Sequence, residues 1–110
     1  MSGVNLYLDI QNKVELLDKA LGSFRLRGEA LAEATKVYKM ELSKSILLKR
    51  EEGVPVSVIS KICEGLPEIA ELGFAKDIAE VQYNSAKEMI NATKLEIKVL
   101  EEAIEREYHS

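Results

Sequence analysis

Apolar residues recur along the first half of the chain at alternating intervals of four and three positions. The set is Ile10, Val14, Leu17, Leu21, Phe24, Gly28, Leu31, Thr35, Tyr38 and Leu42. A straight α-helix drifts by about 20° per heptad from such a repeat, so a sustained repeat is typical of long helices that pack side by side in a left-handed sense. The pattern therefore predicts a long first helix over residues 8–52.

The second half of the chain carries the same alternation. Its positions, apolar or small except for Lys76, are Ile69, Leu72, Lys76, Ala79, Tyr83, Ala86, Ile90, Thr93, Ile97, Leu100 and Ile104. This pattern predicts a second long helix over residues 67–107. We refer to each of these two sets as the core row of its helix, because a partner helix is expected to cover it.

Glycine followed within two residues by proline occurs only between the two long helices. Gly53 is suited to the left-handed position after a helix, and Pro55 is suited to the first turn of the next one. Gly65 and Pro67 repeat this order, so a short helix is predicted over residues 56–63. The sequence thus predicts a single all-α domain over residues 1–110, a long antiparallel helical hairpin with a short helix at its elbow.

Charge differs between the two halves of the chain. Residues 1–55 hold nine Lys and Arg against eight Asp and Glu, and residues 56–110 hold six against eleven. The halves are complementary if the hairpin forms, and we expect it to bring Lys13 and Lys19 near the region from Glu101 to Glu107. The chain has no basic stripe of the kind that binds a phosphate backbone, so nucleic acid is not the expected partner.

The residue types that usually carry catalysis are sparse. The chain has one histidine, His109, and one cysteine, Cys63, and it contains neither of the glycine-rich loops that cradle phosphates. We therefore predict no catalytic, cofactor-binding or metal-binding residue, and no enzymatic activity. A single cysteine and the lack of a long apolar run favour a cytoplasmic protein without a membrane span.

Both long helices carry more apolar residues than one hairpin can cover. These additional residues are Met40, Ile46, Leu47, Phe74, Ile78, Met89, Leu95 and Val99. A second copy is the simplest cover, because two-fold dimers are the commonest soluble assemblies and would complete a four-helix core. We predict a homodimer whose interface contains Met89, Leu95 and Val99.

The elbow offers a second candidate surface. Val54, Val56, Val58 and Ile59 are apolar side chains that glycine and proline hold in place, which lowers the ordering cost of docking. They predict a non-catalytic interaction module that binds an unidentified protein through the elbow. The alternative is a small DNA-binding regulator that uses residues 56–80 as a helix-turn-helix.

The stretches LLKREEGVPVSVISKICEG and FAKDIAEVQYNSAKEMINATKLEIKVLEEAIEREY resemble a family of small helical proteins of bacteriophages and prophages of Gram-positive bacteria. The resemblance runs from about Leu31 to Tyr108. The chain departs from the family pattern at Cys63, where a small residue such as Ala is usual, and at Tyr108, where Trp is common. The resemblance implies a phage-encoded, cytoplasmic and non-enzymatic protein, and it implies no site residues.

Overall fold

The computed structural model describes residues 3–109, and nearly all of them are helical. The elements are α1 (Gly3–Glu51), α2 (Val56–Glu64) and α3 (Pro67–His109). The all-α class and the three helices are thus confirmed, with α1 beginning earlier and α3 ending later than predicted. No strand occurs in this part of the chain. Met1, Ser2 and Ser110, the ends of the predicted domain, lie outside the described residues.

The end of α1 is set by Gly53. Its φ of 87° lies in the left-handed region, where glycine avoids the clash that a Cβ would cause. Its N–H donates to the carbonyl of Arg50 at 3.0 Å, and the N–H of Val54 donates to the carbonyl of Lys49 at 3.0 Å. These two bonds form a Schellman motif, which satisfies carbonyls that the helix itself leaves free.

Only Gly65 and Leu66 separate α2 from α3. The N–H of Gly65 donates to the carbonyls of Lys61 at 3.3 Å and Ile62 at 3.2 Å, which tightens the last turn of α2. Pro67 then opens α3, where its missing N–H has no helical partner to lose. The predicted roles are therefore confirmed for Gly53 and Pro67. Gly65 ends α2 with a φ of −86°, outside the left-handed region, and Pro55 is the N-cap of α2, one residue before its first turn.

Contacts within the chain divide it into two compact units. The first contains residues 3–26 and 84–109, and the second contains residues 27–83. The most buried residues of the first unit are Leu6, Ala20, Ile90 and Thr93, and those of the second are Ile59, Cys63, Ile69 and Ala79. The single domain over 1–110 stays a prediction.

The core row of α3 is confirmed at every position. All eleven residues from Ile69 to Ile104 are buried or half-buried, and nearly every other residue of α3 is exposed. Thr93 is the one buried polar residue of α3, and its hydroxyl donates to the carbonyl of Met89 at 2.8 Å. This bond to the preceding turn lets a hydroxyl occupy a core position without losing a hydrogen bond.

The core row of α1 differs from the prediction at two positions. Val14 and Leu21 are exposed, whereas Lys13 is half-buried and Ala20 is buried. Two successive intervals of four, from Ala20 through Phe24 to Gly28, replace the strict alternation and rotate the buried face. Choosing the larger apolar residue of each neighbouring pair therefore shifts the predicted core row by one residue toward the C-terminus at these two positions of α1.

The contacts also correct the predicted register. Within the first unit, Lys13 forms an ion pair with Glu96, outside the region from Glu101 to Glu107. The prediction placed the centre of the pairing at the middle of the elbow. The predicted short helix, observed as the nine-residue α2, occupies space of its own within the elbow and shifts the point at which the two long helices meet.

In the second unit, aromatic rings pack beside two glycines. A Cβ added at Gly28 would lie 3.5 Å from the ring of Tyr83, an ordinary contact, whereas one added at Gly73 would lie 3.2 Å from the ring of Tyr38. The tighter glycine is therefore Gly73, which was not predicted from the sequence.

Over residues 3–109, no helix has both the length and the apolar character that crossing a membrane requires.

Candidate interaction surfaces

The elbow residues do not form one continuous exposed surface. Val56 is 76% exposed and Val58 is 43% exposed, while Val54 is half-buried. Ile62, four residues after Val58, is equally exposed but was not among the predicted elbow residues. Its spacing of one helical turn from Val58 was the available signal. We define the elbow surface as Val56, Val58 and Ile62.

Ile59 requires a correction, because it is only 4% exposed and belongs to the core of the second unit. Together with Cys63 one turn later, which is fully buried, it forms the inward face of α2. The two side chains hold α2 in place and leave Val58 and Ile62 on its outer side. Ile59 therefore supports the elbow surface from beneath and is not available to a partner.

A second regular row runs along the outside of α3. We call it the outer row, and its members alternate at intervals of four and three: Phe74, Ile78, Val81, Ser85, Glu88, Ala92, Leu95 and Val99. Every member is exposed, including five large apolar side chains. Isolated exposed apolar residues are common in soluble proteins, but an ordered row of them marks an interaction surface. Four of these large apolar residues were predicted from the sequence to lie outside the core, and Val81 was not.

Two of the three residues predicted for a dimer interface belong to the outer row, and the third lies beside it. Leu95 is 62% exposed, Val99 is 53% exposed, and Met89, next to Glu88, is 63% exposed. In the first unit these residues line two open grooves of about 370 and 410 Å³ that share Lys13 and Glu96. The grooves are mainly apolar, so they fit side chains of an apolar partner.

The cations of the proposed helix-turn-helix are few. Lys76 lies over the ring of Tyr38 at 5.4 Å from its centre, and its ammonium group contacts Asp77 at 3.2 Å. It is thus already engaged within the chain. Lys61 is exposed, but Glu68, Glu71 and Glu80 are exposed on the same segment. The surface of residues 56–80 is therefore acidic, which repels a phosphate backbone.

Titratable side chains are dispersed among the described residues. No three of His, Cys, Asp and Glu there form a group that could hold a metal ion. His109, at the end of α3, lines a shallow groove with Glu102, Glu105 and Arg106. The side-chain hydrogen bond with Tyr108, together with the charge of the Tyr108 phenolate, raises the pKa of Tyr7 above its ordinary value.

Comparisons of the chain with protein families, with curated proteins and with solved structures find no match. The resemblance to small phage and prophage proteins therefore stays a prediction.

Proposed function

We propose that this protein is a non-catalytic interaction module, an antiparallel helical hairpin that pairs into a four-helix homodimer and binds another protein through its elbow. The observation that carries the proposal is the order of the exposed apolar side chains. Eight of these side chains lie on the elbow surface and in the outer row of α3, where they form ordered groups, and most of the others lie on α1. We also propose that the protein is phage-encoded and acts in the cytoplasm of the host. The free thiol of Cys63 supports the cytoplasmic location, because the cytoplasm is a reducing compartment.

Replacement of an elbow residue tests the protein-binding part of the proposal. We expect Val56→Asp and Val58→Asp to abolish retention of a partner by the immobilised protein from a lysate of a Gram-positive bacterium, because each places a charge where an apolar contact is proposed. Ser57→Asp is the matched control, since Ser57 is exposed in the same turn of α2 and receives the same charge. Equal losses for Ser57→Asp and Val56→Asp would contradict an elbow site. Helix content measured by circular dichroism verifies that each variant is folded.

The second candidate, a DNA-binding regulator, has the two-residue connection between α2 and α3 in its favour. A mobility-shift experiment with duplex DNA at physiological salt distinguishes it. Our proposal predicts no sequence-dependent shift at nanomolar protein. A sequence-dependent shift that Lys61→Ala reduces would replace the interaction module by the regulator.

A further inference from the structure

We infer that two copies of this chain pair through the outer rows of their α3 helices, in antiparallel orientation. The two-fold axis passes midway between the levels of Ser85 and Glu88. This inference rests on the proposed homodimer, and it specifies which surfaces meet, in which direction and in which register.

The spacing of the outer row indicates the kind of partner that fits it. Alternating intervals of four and three bring one face of a helix into continuous contact with a second helix that winds around it in a left-handed sense. From Phe74 to Val99 the row is ~37 Å long at 1.5 Å per residue. The occupant must therefore be another long helix with the same repeat. The exposed row of α3 in a second copy has that repeat and that length.

The outer row is complementary to itself when its direction is reversed. About the midpoint between Ser85 and Glu88, each position of one copy faces an outer-row position of the other. The facing pairs are Phe74 with Val99, Ile78 with Leu95, Val81 with Ala92, and Ser85 with Glu88. Every large apolar residue meets an apolar residue. The only charged member meets a hydroxyl, which can donate a hydrogen bond to the carboxylate.

The residues that flank the row favour the same register. Asp77 of each copy lies opposite Lys98 of the other, and Asn84 lies opposite Asn91. The carboxylate of Asp77 contacts Lys76 of its own chain but stays 69% exposed, so it remains within reach of a second cation. Two oppositely charged pairs per dimer follow from the two-fold symmetry.

The alternative arrangements are less complementary. A parallel pair would place Glu88 against Glu88 of the second copy, and like charges that face each other in a row of contacts are destabilising. Shifting the antiparallel pair by one heptad in either direction would place Ile78 against Glu88 or Glu102. Only the register centred between Ser85 and Glu88 matches all the apolar residues of the row with one another.

Disulfide trapping tests the orientation. Val81 faces Ala92 of the second copy, so V81C chains mixed with A92C chains should form a covalent heterodimer on mild oxidation. Neither variant alone should do so, because position 81 of one copy lies about 16 Å along the axis from position 81 of the other, beyond the ~7 Å between Cα atoms that a disulfide allows. The wild-type chain, whose only thiol is the fully buried Cys63, is the control.

Charge exchange tests the register independently. We expect Asp77→Lys and Lys98→Asp each to raise the dissociation constant of the dimer about tenfold in sedimentation equilibrium, by replacing attraction with repulsion twice per dimer. The double variant D77K/K98D should restore it to within about twofold. Glu80→Lys, the same charge change at an exposed site of α3 away from the row, should have no such effect.

The outcomes separate this inference from the proposed homodimer. A dimer in which V81C chains cross-link with one another, or in which the mixed chains do not cross-link at all, would overturn the antiparallel pairing and leave the homodimer in place. A dimer that Asp77→Lys does not weaken would overturn the register. Interfaces of standard size have dissociation constants in the micromolar range or below. A wild-type chain that stays monomeric at ~100 μM would therefore remove the homodimer and this inference together.

Discussion

At the scale of single residues, replacing two different glycines by alanine should change the stability of the protein in opposite directions, because their backbone conformations differ. Gly53 has a φ of 87° at the end of α1, whereas Gly22 lies within α1 with no atom near the place of a Cβ. Gly53→Ala should therefore lower the free energy of unfolding by about 1 kcal/mol, the cost of a left-handed alanine. Gly22→Ala should raise it by about 0.5–1 kcal/mol through helix propensity. Urea denaturation at fixed protein concentration measures both changes, and equal signs for the two would contradict this account.

The paired tyrosines give the protein a pH dependence that is local to the first unit. The hydrogen bond with Tyr108 raises the pKa of Tyr7, so the folded chain holds that proton more tightly than the unfolded chain. The bond therefore contributes its stability below the ordinary tyrosine pKa of about 10, and this contribution is lost as the pH rises through the raised value. Tyr108→Phe should lower the pKa of Tyr7, as followed by NMR of the labelled ring. Tyr38→Phe, a change in the other unit, should leave it unaltered.

At the scale of the elements, the sequence predicted the three helices because propensity, end signals and periodicity agreed. In α3 the agreement extended to every core position. In α1 it failed at Val14 and Leu21, because the larger apolar residue was chosen where the neighbouring Lys13 and Ala20 are more buried. The periodicity of one helix cannot reveal this difference, since the register of the helix packed against it decides which residues are covered.

Two isoleucines of the short helix α2 differ strongly in burial. Ile59 is 4% exposed and Ile62 is 43% exposed, although both are isoleucines within one turn of each other. Ile59→Ala should therefore cost about 2–4 kcal/mol of unfolding free energy, because it leaves a cavity in the core. Ile62→Ala should cost no more than about 1 kcal/mol. Chemical denaturation of the two variants provides the comparison, and similar losses would mean that α2 is not anchored through its inward face.

At the scale of the whole molecule, the sequence predicted that an apolar surface would be left over, but not its limits. Met89, Leu95 and Val99 were identified because they exceeded what one partner helix covers, and all three are exposed. Val81 was missed and Ile59 was wrongly included, since each assignment depends on which side of its helix faces the core. The identity of a partner depends on another surface, so the chain alone indicates only the chemistry and the spacing that the partner must match.

Association should depend on the outer row far more than on net charge. Val99→Glu places a carboxylate in the proposed contact of each copy, where burial leaves it unpaired. Two such changes per dimer should together cost about 3 kcal/mol, which raises the dissociation constant on the order of a hundredfold. Gln11→Glu adds the same charge to an exposed position of α1 and should leave the dissociation constant within about twofold of the wild type. Sedimentation equilibrium of the two variants at equal helix content decides the matter: if both dimerise as the wild type does, the outer row is not the surface through which this protein associates.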